Sequence, residues 1–501
     1  MQDRSPGVRG PRALKQDIFL IWRLFVSASS FGNCAQTHRA YCAPWTLTVK
    51  RAAAMGKLSA FSLDAFITFC AFTHTSEFFT RFTGVGTFLP KLFPIRFANL
   101  LGIPPAVFEE QMRECRSFED RKWTNYWRGK ANEHLRIADA LLSRLGAPSS
   151  EQIMREPTAA VHHALGSALR PVSPVFSNRS PDSVEALLAW FTADTRYRNP
   201  AQALDGLVRA MGYLTIACWP GWTADRLKAY WEAQKLFEVL LFAMAPSANL
   251  IAEKIRIDVP GDVVNAFAVF PEGSGKVPAV LMTNGLEGSI QELLLPTLNY
   301  RTTGIAVVAM EMPGTFSYRQ PMSLDSETVY RKVIDHLVEH PRIDAERLGI
   351  FGVSFGAYWS TRMAAVDKRL RAVVSNGGPY HHSFSAKRTF GMPEIILGTM
   401  SSTLRAKNKL DLGQKLHALS IPHLYKQITQ PLLAINGADD TLLSSQDTVD
   451  LAREANGTLL LYPGDDHCAM EHYVIWQRHM TTWLKDQLGP PVAAGFEQSR
   501  Q

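Results

Sequence analysis

Residues 348–358 have the sequence Leu-Gly-Ile-Phe-Gly-Val-Ser-Phe-Gly-Ala-Tyr, in which a short apolar run meets a segment able to form a helix. Ser354 stands between Gly352 and Gly356 at that junction. A serine on so sharp a strand-to-helix turn needs these glycines, because side chains there would collide with the neighbouring strand and helix. The turn also exposes the hydroxyl beside free helical N–H groups, as a nucleophile requires. The G-x-S-x-G pattern alone is weak evidence for a nucleophilic serine, so the rest of the sequence has to be considered.

The composition argues against nucleic acid as a partner. The chain has 501 residues, of which 46% are hydrophobic and 20% charged, which is ordinary for a globular protein of two or three domains. Its net charge is +7, but residues 1–55 hold eight Lys and Arg against two Asp and contribute +6 of it. The remaining chain is therefore nearly neutral and lacks the basic surface that nucleic-acid binding needs.

The basic opening, residues 1–55, permits three interpretations: a transit peptide, a membrane anchor, or an unstructured extension from a gene model that starts upstream of Met55. We favour the extension. The apolar run 18–26 is too short to span a bilayer and Arg23 interrupts it, so we expect no stable membrane insertion.

The cysteines are scattered without C-x-x-C pairs, which argues against a zinc site or a disulfide framework and fits a reducing compartment. They are Cys34, Cys42, Cys70, Cys115, Cys218 and Cys468. We therefore predict a cytoplasmic protein, with organelle targeting by residues 1–55 left open.

Two patterns of apolar residues follow along the chain. Residues 56–249 show apolar residues at three- and four-residue spacing with many aromatics, which predicts a helical domain of four to seven helices. Residues 250–488 alternate short β-type runs with helical ones, which predicts a mainly parallel sheet covered by helices. Residues 489–501 are small and polar and are expected to form a mobile tail. The predicted strands are Ile251–Val259, Val263–Phe270, Pro278–Thr283, Gly304–Met310, Leu348–Val353, Arg371–Ser375, Pro431–Asn436 and Thr458–Tyr462.

An acid and a histidine follow the last two predicted strands, completing the chain order Ser, Asp, His that this kind of sheet uses. Gly437-Ala-Asp-Asp440 comes after the seventh strand, and Pro463-Gly-Asp-Asp-His467 after the eighth. Asp439 competes with Asp440 as the acid, since one of them can instead cap the next helix. We favour Asp440, whose carboxylate would hold the His467 imidazole in the tautomer that accepts the Ser354 proton.

The loop after the third strand, Thr283-Asn-Gly-Leu-Glu-Gly-Ser289, is expected to supply the second N–H of an oxyanion hole, through Leu286, beside the N–H of Phe355. Glu287 is either a structural carboxylate or a rim residue that positions substrate. His381, with His382, follows the sixth strand and is a further candidate for substrate binding, although ordinary loop hydrogen bonding is the simpler expectation. Asp465 and Asp466 are expected to be solvated turn carboxylates.

Several of these segments together are similar to FrsA-like α/β-hydrolases with an N-terminal helical cap. They are Gly352-Val-Ser-Phe-Gly356, Asn284-Gly-Leu-Glu-Gly288, Glu311-Met-Pro-Gly-Thr315, Gly437-Ala-Asp-Asp440 and Pro463-Gly-Asp-Asp-His-Cys468. Within that group the chain resembles the fungal polyketide-tailoring hydrolases and, more distantly, 2,6-dihydroxypseudooxynicotine hydrolase.

The resemblance implies an α/β-hydrolase fold, with an eight-stranded, mostly parallel sheet and an all-helical cap. It also implies Ser354 as nucleophile, Asp440 as acid and His467 as base, without metal or organic cofactor. The implied reaction is hydrolysis of an ester, or of a carbon–carbon bond next to a ketone, in a small aromatic or polyketide-type molecule, and the implied setting is secondary metabolism.

Three other classes stay open. A transacylase or lactone-forming enzyme would use the same triad with an alcohol as acceptor. A peptidase of related fold would usually carry a β-propeller, which the helical pattern opposes. A non-catalytic binding protein is opposed by the retained elbow serine. A small-molecule substrate is the expected partner, and a homodimer is one option for the oligomeric state.

Overall fold

An eight-stranded sheet forms the centre of the computed structural model, which describes residues 61–155 and 157–489. The strands run in the order β1-β2-β4-β3-β5-β6-β7-β8. Their bounds are β1 Leu250–Val259, β2 Asp262–Pro271, β3 Val277–Thr283, β4 Ala306–Met310, β5 Ile343–Val353, β6 Leu370–Asn376, β7 Leu432–Gly437 and β8 Thr458–Tyr462. Each of the eight predicted strands is present.

Strand direction divides the sheet. β1 and β2 form an antiparallel hairpin, and β2 pairs antiparallel with β4, whereas β3 to β8 are parallel to one another. The central strands β3, β4 and β7 are almost wholly buried, as expected for parallel strands covered by helices.

The register brings the loops of interest to one edge of the sheet. Thr283 at the end of β3 pairs with Gly352, and Val353 at the end of β5 pairs with Asn376. Further along, Gly437 at the end of β7 pairs with Tyr462. Because parallel strands end at the same edge, the segments after β3, β5, β6, β7 and β8 all emerge there.

The helices fall into two sets along the chain. Before the sheet they are Ser76–Thr83, Phe93–Leu101, Pro105–Glu114, Asp120–Arg144, Ser150–Arg155, Ala159–Leu169, Ser173–Ser177, Val184–Ala193, Thr195–Cys218 and Ala224–Met244. Between and after the later strands, along the chain, they are Ile290–Thr297, Ser326–Glu339, Phe355–Val366, Glu394–Thr403, Lys409–Ala418, Ser445–Glu454 and Tyr473–Leu488. Residues 61–73 are also helical. The helical half thus holds more and shorter helices than the four to seven expected.

The boundary between helices Val184–Ala193 and Thr195–Cys218 lies at Asp194, whose side chain accepts a hydrogen bond from the Arg196 N–H and caps the second helix. Pro200 lies inside that helix, which continues to Cys218 and is almost entirely buried from Pro200 onward. Burial of this length outweighs the one backbone hydrogen bond that proline removes.

The described residues divide into two compact units. The first includes residues 61–75 and 390–394, where the Gly391 N–H donates to Thr68 Oγ1 at 2.7 Å. The second includes residues 76–389 and 395–489 and holds the sheet and everything discussed below. Helices give way to strands between Met244 and Leu250. The division there into a cap and a catalytic domain stays a prediction.

Two expectations concern residues outside the described ones: the basic extension 1–55 and the tail, of which only Gly489 is described. Within residues 61–155 and 157–489, no helix combines the length and the apolar character needed to cross a membrane.

Candidate active site

Ser354 occupies a strained turn between β5 and helix Phe355–Val366. Its backbone has φ 55° and ψ −126°, which side-chain-bearing residues rarely adopt. A Cβ on Gly352 would lie 2.0 Å from the carbonyl oxygen of Gly356, and one on Gly356 would lie 2.3 Å from that of Thr283. The two glycines therefore permit the turn, and Ser354 remains partly exposed at its apex.

Three side chains distant in sequence meet at this apex. Ser354 Oγ lies 3.0 Å from His467 Nε2. His467 Nδ1 lies 2.8 Å from Asp440 Oδ2. Because the carboxylate accepts the Nδ1 proton, the neutral imidazole keeps Nε2 free to accept a proton from the serine hydroxyl. The structure thus brings together the three residues that the sequence put forward as nucleophile, base and acid.

The Asp440 carboxylate is buried but well supplied with donors. Oδ1 accepts from the Leu442 and Leu443 N–H groups at 2.9 and 2.7 Å, and Oδ2 accepts from Asn436 Nδ2 at 3.0 Å. Burial acts to raise the pKa of Asp440, but the positive charge and hydrogen bond of His467 and these donors outweigh it, so the pKa is lowered.

The pKa of the His467 imidazole is shifted in the opposite direction. Burial acts to lower the pKa of His467, but the adjacent Asp440 carboxylate outweighs burial and raises that pKa well above its usual value. A raised pKa makes the imidazole a stronger base toward Ser354.

The other aspartates of these two loops have structural contacts. Asp439 is exposed and accepts the Gly464 N–H at 2.9 Å, so it does not approach His467 as Asp440 does. Asp465 is fully buried and accepts the N–H groups of Asp466 and His472 at 2.8 and 3.0 Å and the His472 imidazole at 2.8 Å. The expectation of a solvated Asp465 was wrong, because this carboxylate organises the loop that carries His467.

The loop after β3 lies directly over the nucleophile. A Cβ on Gly285 would lie 3.0 Å from Ser354 Oγ and 3.4 Å from the Phe355 nitrogen. The N–H groups of Leu286 and Phe355 donate to no acceptor within the described chain. They are available to an oxyanion, although their assignment as its donors stays a prediction.

Glu287 belongs to a buried ion-pair cluster centred on Arg96, a residue of helix Phe93–Leu101. Arg96 Nη1 lies 3.3 Å from Glu287 Oε1, and Arg96 Nε lies 3.0 Å from Glu292 Oε2. Glu292 also accepts the Ser289 N–H at 3.0 Å, which completes a capping box at the start of helix Ile290–Thr297. Arg96 therefore joins Glu287, the residue directly after Leu286, to the first turn of helix Ile290–Thr297. This placement agrees with the structural interpretation of Glu287.

His381 lies in the exposed loop after β6, where its Nδ1 is 2.8 Å from Ser420 Oγ. The loop is held by Asp447, which accepts N–H groups from Tyr380, His381, His382 and Ser383 at 2.8–3.2 Å. The described contacts of His381 do not include Ser354, Asp440 or His467. A substrate-binding role for His381 stays a prediction.

Glu311, directly after β4, is a buried carboxyl for which no role was predicted. Its Oε2 accepts from Tyr230 Oη at 2.7 Å, and its Oε1 accepts from Gln234 Nε2 at 2.7 Å. The Ile290 N–H also donates to it. Burial raises the pKa of Glu311 to about 7, against the opposing hydrogen bonds. The position of Glu311, at the carboxyl end of a buried strand, could have marked it as a candidate. Its partners Tyr230 and Gln234 lie too far away in the sequence to be inferred.

A cavity of about 740 Å³ has Leu286 in its wall. Trp222 and Phe316 supply aromatic surface, and Arg405 and Lys407 also line it. Phe316 stacks on Tyr230 with ring centroids 4.7 Å apart. Leu286 follows Gly285, the residue packed over Ser354, but Ser354, Asp440 and His467 are not themselves among the lining residues of this cavity. Among the described residues no three His, Cys, Asp or Glu side chains are grouped to hold a metal ion.

Comparison with known proteins gives a family and a fold. Residues 184–488 match the family model described as esterase FrsA-like. The esterase FrsA of Enterobacter sp. (strain 638) is 29% identical over 214 residues, 41% of this chain and 51% of that protein. The 2,6-dihydropseudooxynicotine hydrolase of Paenarthrobacter nicotinovorans is 28% identical over 254 residues, 49% of this chain and 67% of that protein.

The chain spans about half the length of the curated FrsA esterases that it matches. Among solved structures, 2,6-dihydroxy-pseudo-oxynicotine hydrolase superposes with a TM-score of 0.51 at 20% identity, covering 70% of this chain and 95% of that one. At that identity the likeness establishes the α/β-hydrolase fold.

Proposed function

The chain belongs to the FrsA-like esterase family, and we propose that it is a serine hydrolase whose nucleophile is Ser354. One observation carries this proposal: Ser354 Oγ, His467 and Asp440 form a continuous hydrogen-bonded chain, with 3.0 and 2.8 Å between the bonded atoms. A surface serine would need neither the strained turn nor the buried carboxylate behind the imidazole.

The chemistry follows from the placement of these groups. Ser354 Oγ attacks a carbonyl carbon as its proton passes to His467 Nε2, and the N–H groups of Phe355 and Leu286 stabilise the negative oxygen. The bond to the leaving group then breaks as His467 returns the proton to it. Water, deprotonated by His467, attacks the acyl-serine and releases the carboxylic acid and free Ser354.

We further propose that the substrate is a small aromatic or polyketide-type molecule. The cavity beside Leu286 presents Trp222 and Phe316 as flat apolar surface. Arg405 and Lys407 in the same wall suit acidic phenols or enols. If a carbon–carbon bond is cleaved, the departing fragment must be stabilised as an enolate or phenolate, which such molecules allow. One relative is named 2,6-dihydropseudooxynicotine hydrolase.

The deciding experiment compares the wild type with Ser354→Ala on aryl esters and acylated phenolic ketones, with products identified by mass. We expect hydrolysis by the wild type and a loss of at least about 10³-fold in kcat/KM for the variant. The wild type is also expected to react covalently at Ser354 with a fluorophosphonate probe. Equal turnover by both proteins would refute the proposal. Ester rather than acid products in the presence of added alcohol would favour the transacylase.

A further inference from the structure

A second cavity, of about 230 Å³, lies in the helical half of the chain and shares no lining residue with the cavity beside Leu286. Its walls come from the end of helix Phe93–Leu101, the start of helix Pro105–Glu114, and the start of helix Val184–Ala193. We call it the Arg179 cavity, because the Arg179 guanidinium lines it.

Arg179 is buried without a counter-ion. Only 6% of its surface is exposed. Its one hydrogen bond within the described chain runs from Nη1 to the Val175 carbonyl oxygen at 3.4 Å, and no described carboxylate lies within 4.0 Å. A guanidinium has five N–H donors, and buried arginines are almost always paired. Burying this charge without a counter-ion is unfavourable, so the guanidinium is well placed to pair with an anionic ligand.

The nearby acids do not compensate Arg179. Asp205 lines the cavity but is paired with Arg209, whose Nε lies 2.6 Å from Asp205 Oδ2. Glu185, at the rim, is exposed to water. Burial lowers the pKa of Arg179 to about 10 despite the opposing charge of Asp205, so the group stays positive at neutral pH. The cavity thus contains one unmatched positive charge.

The rest of the wall restricts the partner's chemistry. Ile103, Val184 and Leu188 are apolar, and three prolines add surface without N–H donors. Arg209 also lines the cavity, so the wall carries two arginines and two acids, and this balance favours a singly charged ion over a doubly charged one such as phosphate. Val184 begins a helix of ten residues, whose amino end favours a single negative charge.

We propose that the Arg179 cavity binds a small aliphatic monocarboxylate. The carboxylate would accept two parallel hydrogen bonds from the guanidinium, and the short chain would lie against Ile103 and Leu188. This binding is separate from the reaction at Ser354 and does not depend on it.

The test measures the thermal unfolding of the full chain in sodium propionate, with sodium chloride at equal ionic strength as the reference. Propionate is expected to raise Tm in a saturable manner, because it binds only the folded state. Propionamide has the same shape without the charge and is expected to leave Tm unchanged. Both measurements use the wild type, so a variant that fails to fold does not prevent the test.

Variants locate the response. Arg179→Gln and Leu188→Glu are each expected to abolish the propionate shift, the first by removing the guanidinium and the second by supplying an internal carboxylate. Arg144→Gln, at an exposed helix position, and Ser354→Ala are expected to keep it. The proposal would be overturned if propionate caused no saturable rise in the Tm of the wild type. It would also be overturned if propionate raised the Tm of both Arg179→Gln and Leu188→Glu as much as that of the wild type. A shift with inorganic phosphate but not propionate would also overturn it.

Discussion

Arg96 and Glu292 form a buried ion pair, with 3.0 Å between Nε and Oε2, that ties the helical half of the chain to the loop over the nucleophile. The side chain of Glu292 is only 1% exposed and that of Arg96 only 10%. Glu292 caps helix Ile290–Thr297 at the same time. The loop that carries Leu286 is therefore held from outside the sheet.

Replacing Arg96 by Met should destabilise the protein strongly. It leaves Glu292 and Glu287 without their partner, and an unpaired buried carboxylate costs about 3 kcal/mol or more in unfolding free energy. Urea unfolding measures this. Arg155→Met is the matched control, because the Arg155–Glu151 pair has side chains 69% and 75% exposed, and a surface pair contributes about 1 kcal/mol or less. Equal losses of unfolding free energy in the two variants would contradict a stabilising role of the buried pairs of Arg96.

Gly285→Ala tests whether the loop backbone must touch the nucleophile. The added Cβ would lie 2.7 Å from Ser354 Cβ, so either the loop or the serine must shift. We expect kcat/KM to fall by about 10²-fold or more, because small displacements at a reacting centre are costly. Gly275→Ala, where a Cβ meets open space, is the control and should behave like the wild type. An active Gly285→Ala enzyme would place the oxyanion donors elsewhere.

The pH dependence of kcat/KM should have an acid limb set by His467. Protonation of the imidazole removes its ability to accept the Ser354 proton, so activity falls as pH drops through the pKa of His467. Asp440 raises that pKa, so the limb should lie above the ordinary histidine range. Asp440→Asn should lower kcat by about 10⁴-fold and move the limb to lower pH. If Asp440→Asn leaves the acid limb at the same pH, the Asp440–His467 pair does not set that limb.

Glu311→Gln should change how stability depends on pH. Burial raises the pKa of Glu311 from 4.5 to about 7, so its neutral form is favoured in the folded state. Its stabilising effect is complete below the unfolded pKa and is lost as pH rises through the folded one. The unfolding free energy of the wild type, relative to Glu311→Gln, should therefore fall by about 3 kcal/mol between acidic and neutral pH. Urea unfolding of both proteins across this range measures it, and parallel curves would contradict it.

Trp222→Ala probes the aromatic wall. Trp222 lines the cavity beside Leu286, so its loss should raise KM for a naphthyl ester by about tenfold and leave a short-chain alkyl ester unaffected. Trp190→Ala is the control, because Trp190 is 65% exposed and lies outside this cavity. If both esters respond equally, Trp222 acts on the fold and not on substrate choice.

Local patterns predicted the sheet and the meeting of Ser354, Asp440 and His467. Each of those three follows a short apolar run, and the carboxyl ends of parallel strands share one edge, so strand order alone brings them close. The choice of Asp440 over Asp439 agrees with the structure, in which Asp440 is bonded to the His467 imidazole and Asp439 to the Gly464 N–H.

Contacts between the two halves of the chain left no trace in the sequence. Arg96 is separated from Glu292 by 196 positions and Tyr230 from Glu311 by 81, and nothing local marks them as partners. Asp465 misled for a related reason. A Pro-Gly-Asp-Asp run is typical of a solvated turn, but the donors that bury Asp465 come from residues beyond His467.

The attachment of the loop after β6 has a consequence for directed evolution. Asp447 holds residues 380–383 through their main-chain N–H groups, which every residue except proline provides. Randomising positions 381 and 382 in a library would therefore keep these four main-chain bonds and lose only the side-chain bonds of His381 to Ser420 and of His382 to Asp450, whereas Asp447 itself has to be kept constant.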